Sequence, residues 1–386
     1  MKKVFHSSKI EISKSALKKN YDFIRNLLPN KVKFSSVIKG NAYGHSIDNF
    51  VPLAEELGVD HFSVFSADEA WQVFDVCDTC SDVMIMGNID NEELSWAVEN
   101  EIEFYVFELD RLEAAIKVAK QKKQKAKVHL EVETGMNRTG FETSELKSAL
   151  KLIDQNKEYV SFEGLCTHYA GAESIANYVR IQEQFKRFNR YRKAIEKEGF
   201  RPKRYHTACS AAAISYPKTR MDMVRIGILQ YGFWPSRETN IHYFKETGNP
   251  DQPIERILSW KSKIMDVKKV KTGEFIGYGT TYLAQRDMKI ATIPVGYSHG
   301  FARGLSNIGR VLVNEQRVGV IGMVSMNLMT IDVTGCNKVT KGDEVVIIGK
   351  QGELELSVSS FSELSSQVNY ETLTRLPENI TREIVD

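Results

Sequence analysis

The sequence predicts an α/β fold in which an N-terminal (β/α)8 TIM-type barrel is followed by a mostly β domain. In the first part of the chain, short β-rich runs alternate eight times with stretches whose apolar residues recur at helical spacing, which is the sequence form of such a barrel. After roughly Pro250 the runs are β-branched and separated by turn residues. The length of 386 residues also exceeds the size at which one hydrophobic core usually stops growing.

The eight predicted barrel strands define the first domain. They lie at residues 32–39, 61–66, 82–87, 103–107, 127–133, 162–168, 204–208 and 223–228. The gap after the seventh strand holds only SAAAIS, enough for about one to two helical turns. We assign residues 10–245 to the barrel and residues 250–386 to the β-rich domain. Residues 1–9 can belong to the second domain, because the neighbouring run KIEIS fits a strand of either domain.

The charge balance of the chain narrows its possible partners. Lys and Arg number 52 against 50 Asp and Glu, a formal net charge of +2, so neither a nucleic-acid surface nor a polybasic membrane patch is indicated. The N-terminus MKKVFHSSKIEIS lacks an apolar run of signal-peptide length, and no stretch of about 18 apolar residues occurs. We therefore expect a cytoplasmic protein that binds a small neutral or zwitterionic molecule.

The five cysteines do not form a disulfide framework in so long a chain. Only Cys77 and Cys80 make a CxxC pair, and no second pair or histidine pair at zinc-finger spacing accompanies it. Incidental or buried thiols are therefore favoured over a zinc or redox site, and no metal is expected.

Chemistry-bearing residues collect where the barrel strands end. The first strand ends in VIKGNAYGHS, which places the amine of Lys39 above a tight loop. Active sites of (β/α)8 barrels lie at this end of the strands, where the chain supplies Lys39, Arg138, His168, His206, Ser210, Arg225 and Gly227. Period-two alternation on the fifth strand also points His129, Glu131 and Glu133 into the barrel.

These residue types favour one cofactor. Positive charge near Lys39 disfavours its ammonium form, so the free amine becomes available to form a Schiff base with an aldehyde. The small-residue segments CSAAA and RIGI, the latter ending at Ile228, offer backbone N–H groups to a phosphate. An aldehyde that carries a phosphate indicates pyridoxal 5'-phosphate bound on the barrel.

The chain resembles the alanine racemase family, which are pyridoxal-phosphate enzymes with a barrel and a β domain. The motifs that carry the resemblance are VIKGNAYGH, ETGMNRTGF, CTHYAGAE, YHTACSAA, VRIGILQYG, IGYGTTY, IPVGYSHGFAR, VSMNLMTIDV and NYETLTR. They occur in order over nearly the whole chain. The resemblance implies a homodimer with shared active sites that interconverts L-alanine and D-alanine and supplies D-alanine for the cell wall.

The resemblance also implies roles for particular residues. Lys39 bonds to the cofactor and acts as a base on one face of the substrate, and Tyr278 of the other subunit acts on the opposite face. Arg225 faces the pyridine nitrogen. Removal and return of the Cα proton on opposite faces requires two such flanking bases.

The remaining implied roles concern binding. Tyr43 and Tyr370 lie near the phosphate. Arg138 binds the cofactor's phenolic oxygen or the substrate carboxylate, and the backbone around Met326 helps to bind that carboxylate. The cofactor-binding segments further contain His168, His206, Ser210, Gly227 and Ile228. Taken alone, the two histidines are equally consistent with satisfied residues at the barrel rim, and Tyr282 competes with Tyr278 as the tyrosine of its motif.

Glu131 departs from the family pattern. Many members have a carbamate-modified lysine seven residues before the arginine of this motif, and here Glu131 occupies that place. Our hypothesis is that Glu131 directly supplies the negative charge that orients Arg138.

Other functions remain open on sequence alone. A racemase of broader or different specificity, for serine as an example, has the same bases and differs only in the shape of its pocket. A pyridoxal-phosphate decarboxylase has no need of Tyr278, and a non-catalytic carrier of the cofactor has no need of the β domain.

Overall fold

The computed structural model describes residues 6–78, 81–248, 251–358 and 369–386 and divides into two compact units. The barrel unit comprises Ala16–Ala42 and Phe50–Glu255, and the β unit comprises Met1–Ser15, Tyr43–Asn49 and Arg256–Asp386. Cys80, the second cysteine of the CxxC pair, lies outside the described residues.

Strands and helices alternate through the first part of the chain. The strands are β1 (Ser8–Ser13), β2 (Lys33–Val37), β3 (His61–Ser66), β4 (Asp82–Asn88), β5 (Glu103–Val106), β6 (Ala126–Glu131), β7 (Val160–Cys166), β8 (Arg204–His206) and β9 (Met223–Ile226). The helical segments are α1 (Lys14–Leu27), α2 (Lys39–Tyr43), α3 (Ile47–Glu56), α4 (Ala67–Val76), α5 (Leu94–Glu99), α6 (Leu109–Lys122), α7 (Thr143–Gln155), α8 (Tyr178–Lys197), α9 (Ser210–Ser215) and α10 (Arg237–Thr247).

The barrel sheet confirms the predicted (β/α)8 architecture. Eight parallel strands pair in the order β8-β7-β6-β5-β4-β3-β2-β9, and β9 lies parallel to β2, as closure of the sheet requires. Between β8 and β9 the pairing continues as a bridge from Cys209 to Arg225. The short α9 follows β8, as the run SAAAIS predicts.

Apolar periodicity explains why the helices cover this sheet. In α6, for example, Leu112, Ala115, Ile116 and Ala119 are buried, a spacing that places all four on one face of the helix. On β6 the apolar Val128 and Leu130 alternate with His129 and Glu131, as the two-residue repeat of a strand requires. The polar pair therefore belongs to the barrel interior.

The β unit is built around one large sheet. Its later elements are β10 (Leu258–Lys263), β11 (Asp266–Val270), β12 (Met288–Ile293), β13 (Arg310–Val313), β14 (Gln316–Ile321), β15 (Met329–Asp332), β16 (Glu344–Gln351), β17 (Leu354–Leu356), α11 (Asn369–Thr374) and β18 (Thr381–Val385). The strands pair in the order β11-β12-β15-β14-β13-β16-β10-β1-β18, and β17 adds to β16.

The N-terminal strand belongs to the β unit. β1 pairs antiparallel with β10 and parallel with β18, so the run KIEIS, which fits either domain on sequence alone, joins the second. Its Ile10 and Ile12 are fully buried. On the other face, Glu11 accepts ion pairs from Lys9 and Lys261, each with an N–O distance of 2.8 Å.

A single buried asparagine fixes α1 against the segment that follows the barrel strands. Asn20 is fully buried. Its amide nitrogen donates to the carbonyls of Gln230 (3.0 Å) and Glu255 (2.7 Å), and its Oδ1 accepts from the N–H of Glu255 (2.7 Å). Buried backbone groups that lose their partners are costly, so this side chain stabilises the closure of the barrel unit.

Replacement of Asn20 by alanine should destabilise the barrel unit by about 2 to 3 kcal/mol, because one buried and two partly buried backbone groups lose their partner. Urea unfolding followed by fluorescence measures the change in midpoint. Lys19→Ala is the matched control, since Lys19 pairs with the carboxylate of Glu255 at the surface (3.5 Å), an interaction worth less than about 1 kcal/mol. Equal midpoints for the two variants would contradict this assignment.

Candidate active site

Lys39 stands on a left-handed turn directly after β2. Gly40, Asn41 and Ala42 have φ of 64°, 52° and 53°, with ψ of 45°, 55° and 47°. Left-handed backbone costs a non-glycine residue roughly 1–2 kcal/mol, so other interactions must hold the turn. The turn directs the backbone away from the strand immediately after Lys39, whose amine lies at the C-terminal end of the barrel strands.

Glu69, in the first turn of α4, supplies these interactions. One carboxylate oxygen accepts the N–H groups of Gly40 (2.6 Å) and Asn41 (3.4 Å), and the other accepts the N–H of Phe65 (2.8 Å). Sequence reasoning missed this residue. An acidic side chain at the start of a helix is ordinarily explained by the helix dipole, and nothing local indicates that it reaches the loop after β2.

The amine of Lys39 lies in a cationic environment. Desolvation is the largest cause of its lowered pKa, and repulsion from Arg138 and Arg225 adds to it, whereas Glu69 acts in the opposite direction. His168 is subject to the same field: burial and the charges of Arg225, Arg138 and Lys39 lower its pKa to about 3. The amine is therefore more readily deprotonated than an ordinary lysine, and His168 is neutral.

The loop that carries Arg138 is held by hydrogen bonds to the side chain of Glu133. This carboxylate accepts the backbone N–H groups of Gly135 and of Asn137, the latter at 2.9 Å. Asn137 has φ of 55°, a conformation that asparagine tolerates better than most residues. The loop thus turns sharply after β6 and presents the exposed Arg138 at the same end of the barrel as Lys39.

Gln184, on α8, ties this loop to the one after β7. Its side-chain nitrogen donates to Thr134 Oγ1 (3.2 Å) and to the carbonyl of His168 (3.0 Å), and its oxygen accepts the N–H of Ala170 (2.9 Å). Thr134 and Thr167 share a further hydrogen bond of 2.8 Å. Gln184 is a second residue that sequence reasoning missed, because a buried glutamine in a long polar helix gives no local signal.

Glu131 acts on the arginine loop through Thr139. Its Oε2 accepts from Thr139 Oγ1 at 2.7 Å. Burial raises the pKa of Glu131, while the Thr139 hydrogen bond and the charges of Arg138 and Arg225 partly oppose that rise. Among the side chains that the structure describes, no ion pair within 4.0 Å joins Glu131 to Arg138. A direct ion pair between the two side chains is therefore not seen there, and the orienting role of Glu131 stays a hypothesis.

Arg225 is nearly fully buried at the end of β9. Its Nη1 donates to His206 Nδ1 and to the carbonyl of His206 (2.9 Å), and its Nη2 donates to the carbonyls of Thr167 (2.8 Å) and Thr207 (3.3 Å). A guanidinium has five N–H donors. Among the residues that the structure describes, these four bonds leave the Nε–H as the donor without a protein partner.

Ser210 and Gly227 meet beside the start of α9. The N–H of Gly227 donates to Ser210 Oγ at 3.0 Å, and both residues are buried, as is Ile228. Cys209 precedes α9, and burial raises the pKa of its thiol. The segment offers a hydroxyl and backbone groups without a large side chain, which suits the close approach of a phosphate.

Two predicted site residues lie together in the β unit. The rings of Tyr43 and Tyr370 meet edge to face, with centroids 6.1 Å apart. Gly44 follows with φ of 80°, and a Cβ there would lie 2.0 Å from the carbonyl oxygen of Leu373. Only glycine therefore lets α11 approach the segment that carries Tyr43.

The two tyrosines of the IGYGTTY motif occupy different environments. Tyr278 is 73% exposed and lies between Gly277 and Gly279, both with positive φ. Tyr282 packs against the core cluster that includes Ile276 and Met288. An exposed phenol is free to meet a molecule from outside, whereas Tyr282 has a structural role.

Met326 is likewise exposed in the β unit, at 56%. Its carbonyl accepts from the N–H of Ser298 (3.0 Å) and from Ser298 Oγ (2.7 Å). Asn327 Nδ2 also donates to Ser298 Oγ, at 2.9 Å. Close packing at Gly296, where a Cβ would lie 2.1 Å from the carbonyl oxygen of Ser325, holds the same segment in place.

Two findings bear on membranes and metals within residues 6–78, 81–248, 251–358 and 369–386. In that part of the chain, no helix has the length and apolar character needed to cross a membrane. The same residues contain no cluster of three or more His, Cys, Asp or Glu side chains placed to bind a metal ion.

Comparison with known proteins gives one consistent result. The family described as "Alanine racemase, N-terminal domain" matches residues 12–235, and "Alanine racemase, C-terminal domain" matches residues 257–384. An alanine racemase of Leptospira interrogans is 33% identical over 381 residues, covering 99% of this chain and 96% of the relative. One of Methanococcus maripaludis is also 33% identical, covering 98% of this chain and 99% of the relative.

Solved structures agree. Alanine racemase of Clostridium difficile 630 superposes with a TM-score of 0.90 at 28% identity, covering 99% of this chain and 97% of that one. Alanine racemase of Bacillus anthracis, solved with bound L-Ala-P, gives a TM-score of 0.89 at 30% identity, covering 100% and 96% of the two chains. Both similarities extend over the barrel and the β domain.

Removal of the Glu69 carboxylate should loosen the turn that carries Lys39. Glu69→Ala is expected to lower the free energy of local opening at Gly40 and Asn41 by about 1.5 kcal/mol or more, because charge-assisted hydrogen bonds are lost. Hydrogen exchange measured by mass spectrometry on peptides that cover residues 38–44 reports the change. Asp68→Ala, which removes the neighbouring exposed acid, is the control. Unchanged exchange in Glu69→Ala would show that the turn is held by other means.

Proposed function

Because the chain belongs to the alanine racemase family of isomerases, we propose that it interconverts L-alanine and D-alanine by a two-base mechanism with pyridoxal 5'-phosphate. The observation that carries the proposal is the amine of Lys39, presented on a left-handed turn with a pKa lowered by desolvation and by Arg138 and Arg225. A lysine activated in this way is the group that binds an aldehyde cofactor.

The donors of the barrel unit fit this cofactor. Lys39 offers the amine for its aldehyde, and Arg225 offers its Nε–H to the ring nitrogen. Ser210 Oγ and the N–H of Ile228 offer donors to its phosphate, and the N–H of Gly227 holds Ser210 Oγ in place by donating to it. We propose that Tyr43 and Tyr370 complete the phosphate site and that His168 packs beside the ring, while His206, fully buried, serves the cofactor site through its contact with Arg225. When bound, pyridoxal phosphate supplies an electron sink that makes the Cα proton of an amino acid acidic.

Two bases of this chain would move that proton. We assign Lys39 Nζ to one face of the substrate and Tyr278 Oη to the other, since inversion requires removal on one side and return on the opposite side. Arg225, which is always charged, favours an unprotonated ring nitrogen. Weaker electron withdrawal then favours simple return of the proton to Cα over transamination. Arg138 and the backbone at Met326 are assigned to the substrate carboxylate.

The exposure of Tyr278 supports a shared active site. A phenol that acts on a substrate must be enclosed when it acts, yet this one is 73% exposed in the single chain. We therefore propose a homodimer in which Tyr278 and Met326 of one protomer serve the barrel of its partner. Neither protomer alone then has both bases.

We also propose a cellular role: production of D-alanine for peptidoglycan in the cytoplasm. This role follows from the family alone. The chain departs from the family pattern at Cys209, His299 and Asn327, which lie in motifs assigned to the site. The side-chain preference of the enzyme is therefore a matter for direct measurement, with serine as the first alternative substrate.

Tyr278→Phe tests the second base. The variant is expected to lose racemase activity by roughly 10²- to 10⁴-fold, the usual contribution of a positioned general acid or base. The assay incubates purified holoenzyme with single L-amino acids in heavy water and measures D-enantiomer by chiral chromatography and deuterium at Cα by mass spectrometry. Tyr282→Phe, in which the same hydroxyl is removed from the packed tyrosine of the motif, should retain activity.

Each outcome of that assay separates the candidates. Rapid conversion of L-alanine supports the proposal, and faster conversion of L-serine would establish a racemase of different preference. Full activity in Tyr278→Phe would remove Tyr278 from the mechanism. Release of carbon dioxide without any D-enantiomer would indicate a decarboxylase instead.

The shared site predicts complementation between two inactive variants. Lys39→Ala and Tyr278→Phe chains, coexpressed with different affinity tags and purified as the mixed dimer, should have about half the activity of the wild-type dimer, because one of the two symmetric sites regains both bases. The two variant homodimers are the controls. An inactive mixed dimer would show that both bases of a site come from the same chain.

A further inference from the structure

A chain of buried polar side chains crosses the barrel interior behind Arg225. Arg225 Nη1 contacts His206 Nδ1, His206 Nε2 lies 2.8 Å from His129 Nδ1, and His129 Nε2 lies 2.8 Å from Glu103 Oε2. All four side chains are at least 95% buried. We call these four residues, Arg225, His206, His129 and Glu103, the relay.

The chemistry of the two ends fixes the direction of every hydrogen bond in the relay. A guanidinium only donates, so His206 Nδ1 must accept and His206 must carry its proton on Nε2. His206 Nε2–H then donates to His129 Nδ1, so His129 carries its own proton on Nε2. The carboxylate of Glu103 only accepts and receives it. Both histidines are thereby neutral, in the same tautomer.

The electrostatics of the interior agree with this assignment. Burial, followed by the charge of Arg225, lowers the pKa of His206 well below its usual value, and burial likewise lowers the pKa of His129. Burial opposes ionisation of Glu103, but hydrogen bonds from His129 and His61 hold its pKa far below the usual range. The relay thus has one fixed positive end, one fixed negative end and neutral rings between them.

Glu103 also receives donors from outside the relay. His61 Nε2 donates to the same Oε2 at 3.3 Å, and Arg204 pairs with Oε1. Arg204 further pairs with Glu163 at 3.3 Å, and Glu163 with Lys203 at 2.7 Å. Glu103 is therefore satisfied by three donors, and its acceptor role towards His129 does not vary.

The backbone makes room for the relay at Gly164 on β7. A Cβ at this position would lie 2.2 Å from His129 Nδ1 and 2.8 Å from His206 Nε2. Such distances are far below van der Waals contact, so any other residue would separate the two rings. Gly164 is the feature of the neighbouring strand that allows the hydrogen bond between the two histidines.

We propose that Glu103 is a positioning residue that acts through His129 and His206 to hold Arg225 with its Nε–H facing the ring nitrogen of the cofactor. Its carboxylate terminates the relay and so sets the tautomers that accept the Nη groups of Arg225. The catalytic role of this geometry rests on the proposed function, since Arg225 is assigned there to the cofactor. The protonation pattern of the two histidines does not depend on the proposed function.

Imidazole ¹⁵N NMR tests the protonation pattern directly. Full-length holoenzyme labelled with [¹⁵N]histidine has eight histidines, and His129→Gln and His206→Gln variants assign the two relevant spin systems. Long-range ¹H–¹⁵N correlation is expected to show His129 and His206 as neutral rings protonated on Nε2 at neutral pH. An imidazolium cation, or an Nδ1-protonated ring, at either position would overturn the proposal.

Two matched variants test the role of Glu103. Glu103→Gln removes the negative end of the relay. Glu163→Gln removes a buried acid that pairs with the same Arg204 but, among the described residues, has no hydrogen bond or ion pair to His129 or His206. Glu103→Gln should shift the His129 and His206 ¹⁵N resonances and lower kcat about 10- to 100-fold with KM little changed, the effect usual for loss of a functional histidine's outer partner. Glu163→Gln should do neither.

The readouts separate this inference from the proposed function. The inference is wrong, and Glu103 is only a structural acid, if two results hold together. The His206 ¹⁵N resonances of Glu103→Gln match those of Glu163→Gln, and the kcat values of the two variants agree within about twofold. If the wild-type protein racemises no amino acid, the proposed function is wrong, while the NMR spectra still decide the protonation pattern. The wild-type spectra need no substitution at Glu103, so poor folding of that variant leaves the test intact.

Discussion

The buried guanidinium of Arg225 is the constraint on which the barrel interior depends. A charge removed from water costs several kcal/mol unless partners replace its solvation. Here the carbonyls of Thr167, His206 and Thr207 and the ring of His206 provide those partners, and they come from the ends of two neighbouring strands and the segments that follow. The side chain is thus fixed by several elements at once, and its Nε–H, which has no partner in the described part of the chain, is held in a defined direction.

The same charge changes the chemistry of its neighbours. Together with Arg138 it repels a proton from the amine of Lys39 and from His168, in addition to the effect of desolvation. Glu69 opposes the effect on Lys39, but its hydrogen bonds go to the backbone of the turn, so that its main contribution is geometric. Position and reactivity of the amine are therefore set by separate residues, one acidic and two basic.

Sequence periodicity was sufficient for the eight barrel strands and most of the helices between them, because those depend on local alternation of apolar residues. It could not predict the left-handed turn at 40–42 or its attachment to Glu69, since both depend on a contact between residues that only the folded barrel brings together. Glu103 is the clearest case. At the start of a short strand it resembles a solvent-facing residue, and only the neighbouring strands supply the histidines that it meets.

Glu131 shows how a change of residue type alters the means by which a loop is held. A buried carboxylate that accepts from Thr139 at 2.7 Å fixes the residue next to Arg138 through a short hydrogen bond to a hydroxyl. The guanidinium of Arg138 interacts with the Glu131 carboxylate only at longer range. This attraction is weaker still because burial raises the pKa of Glu131 and so disfavours its charged form. Restraint of Arg138 in this chain is therefore mostly a matter of loop geometry, shared by the Thr139 hydrogen bond to Glu131 and by the backbone bonds to Glu133, with the longer-range charge of Glu131 as the smaller contribution.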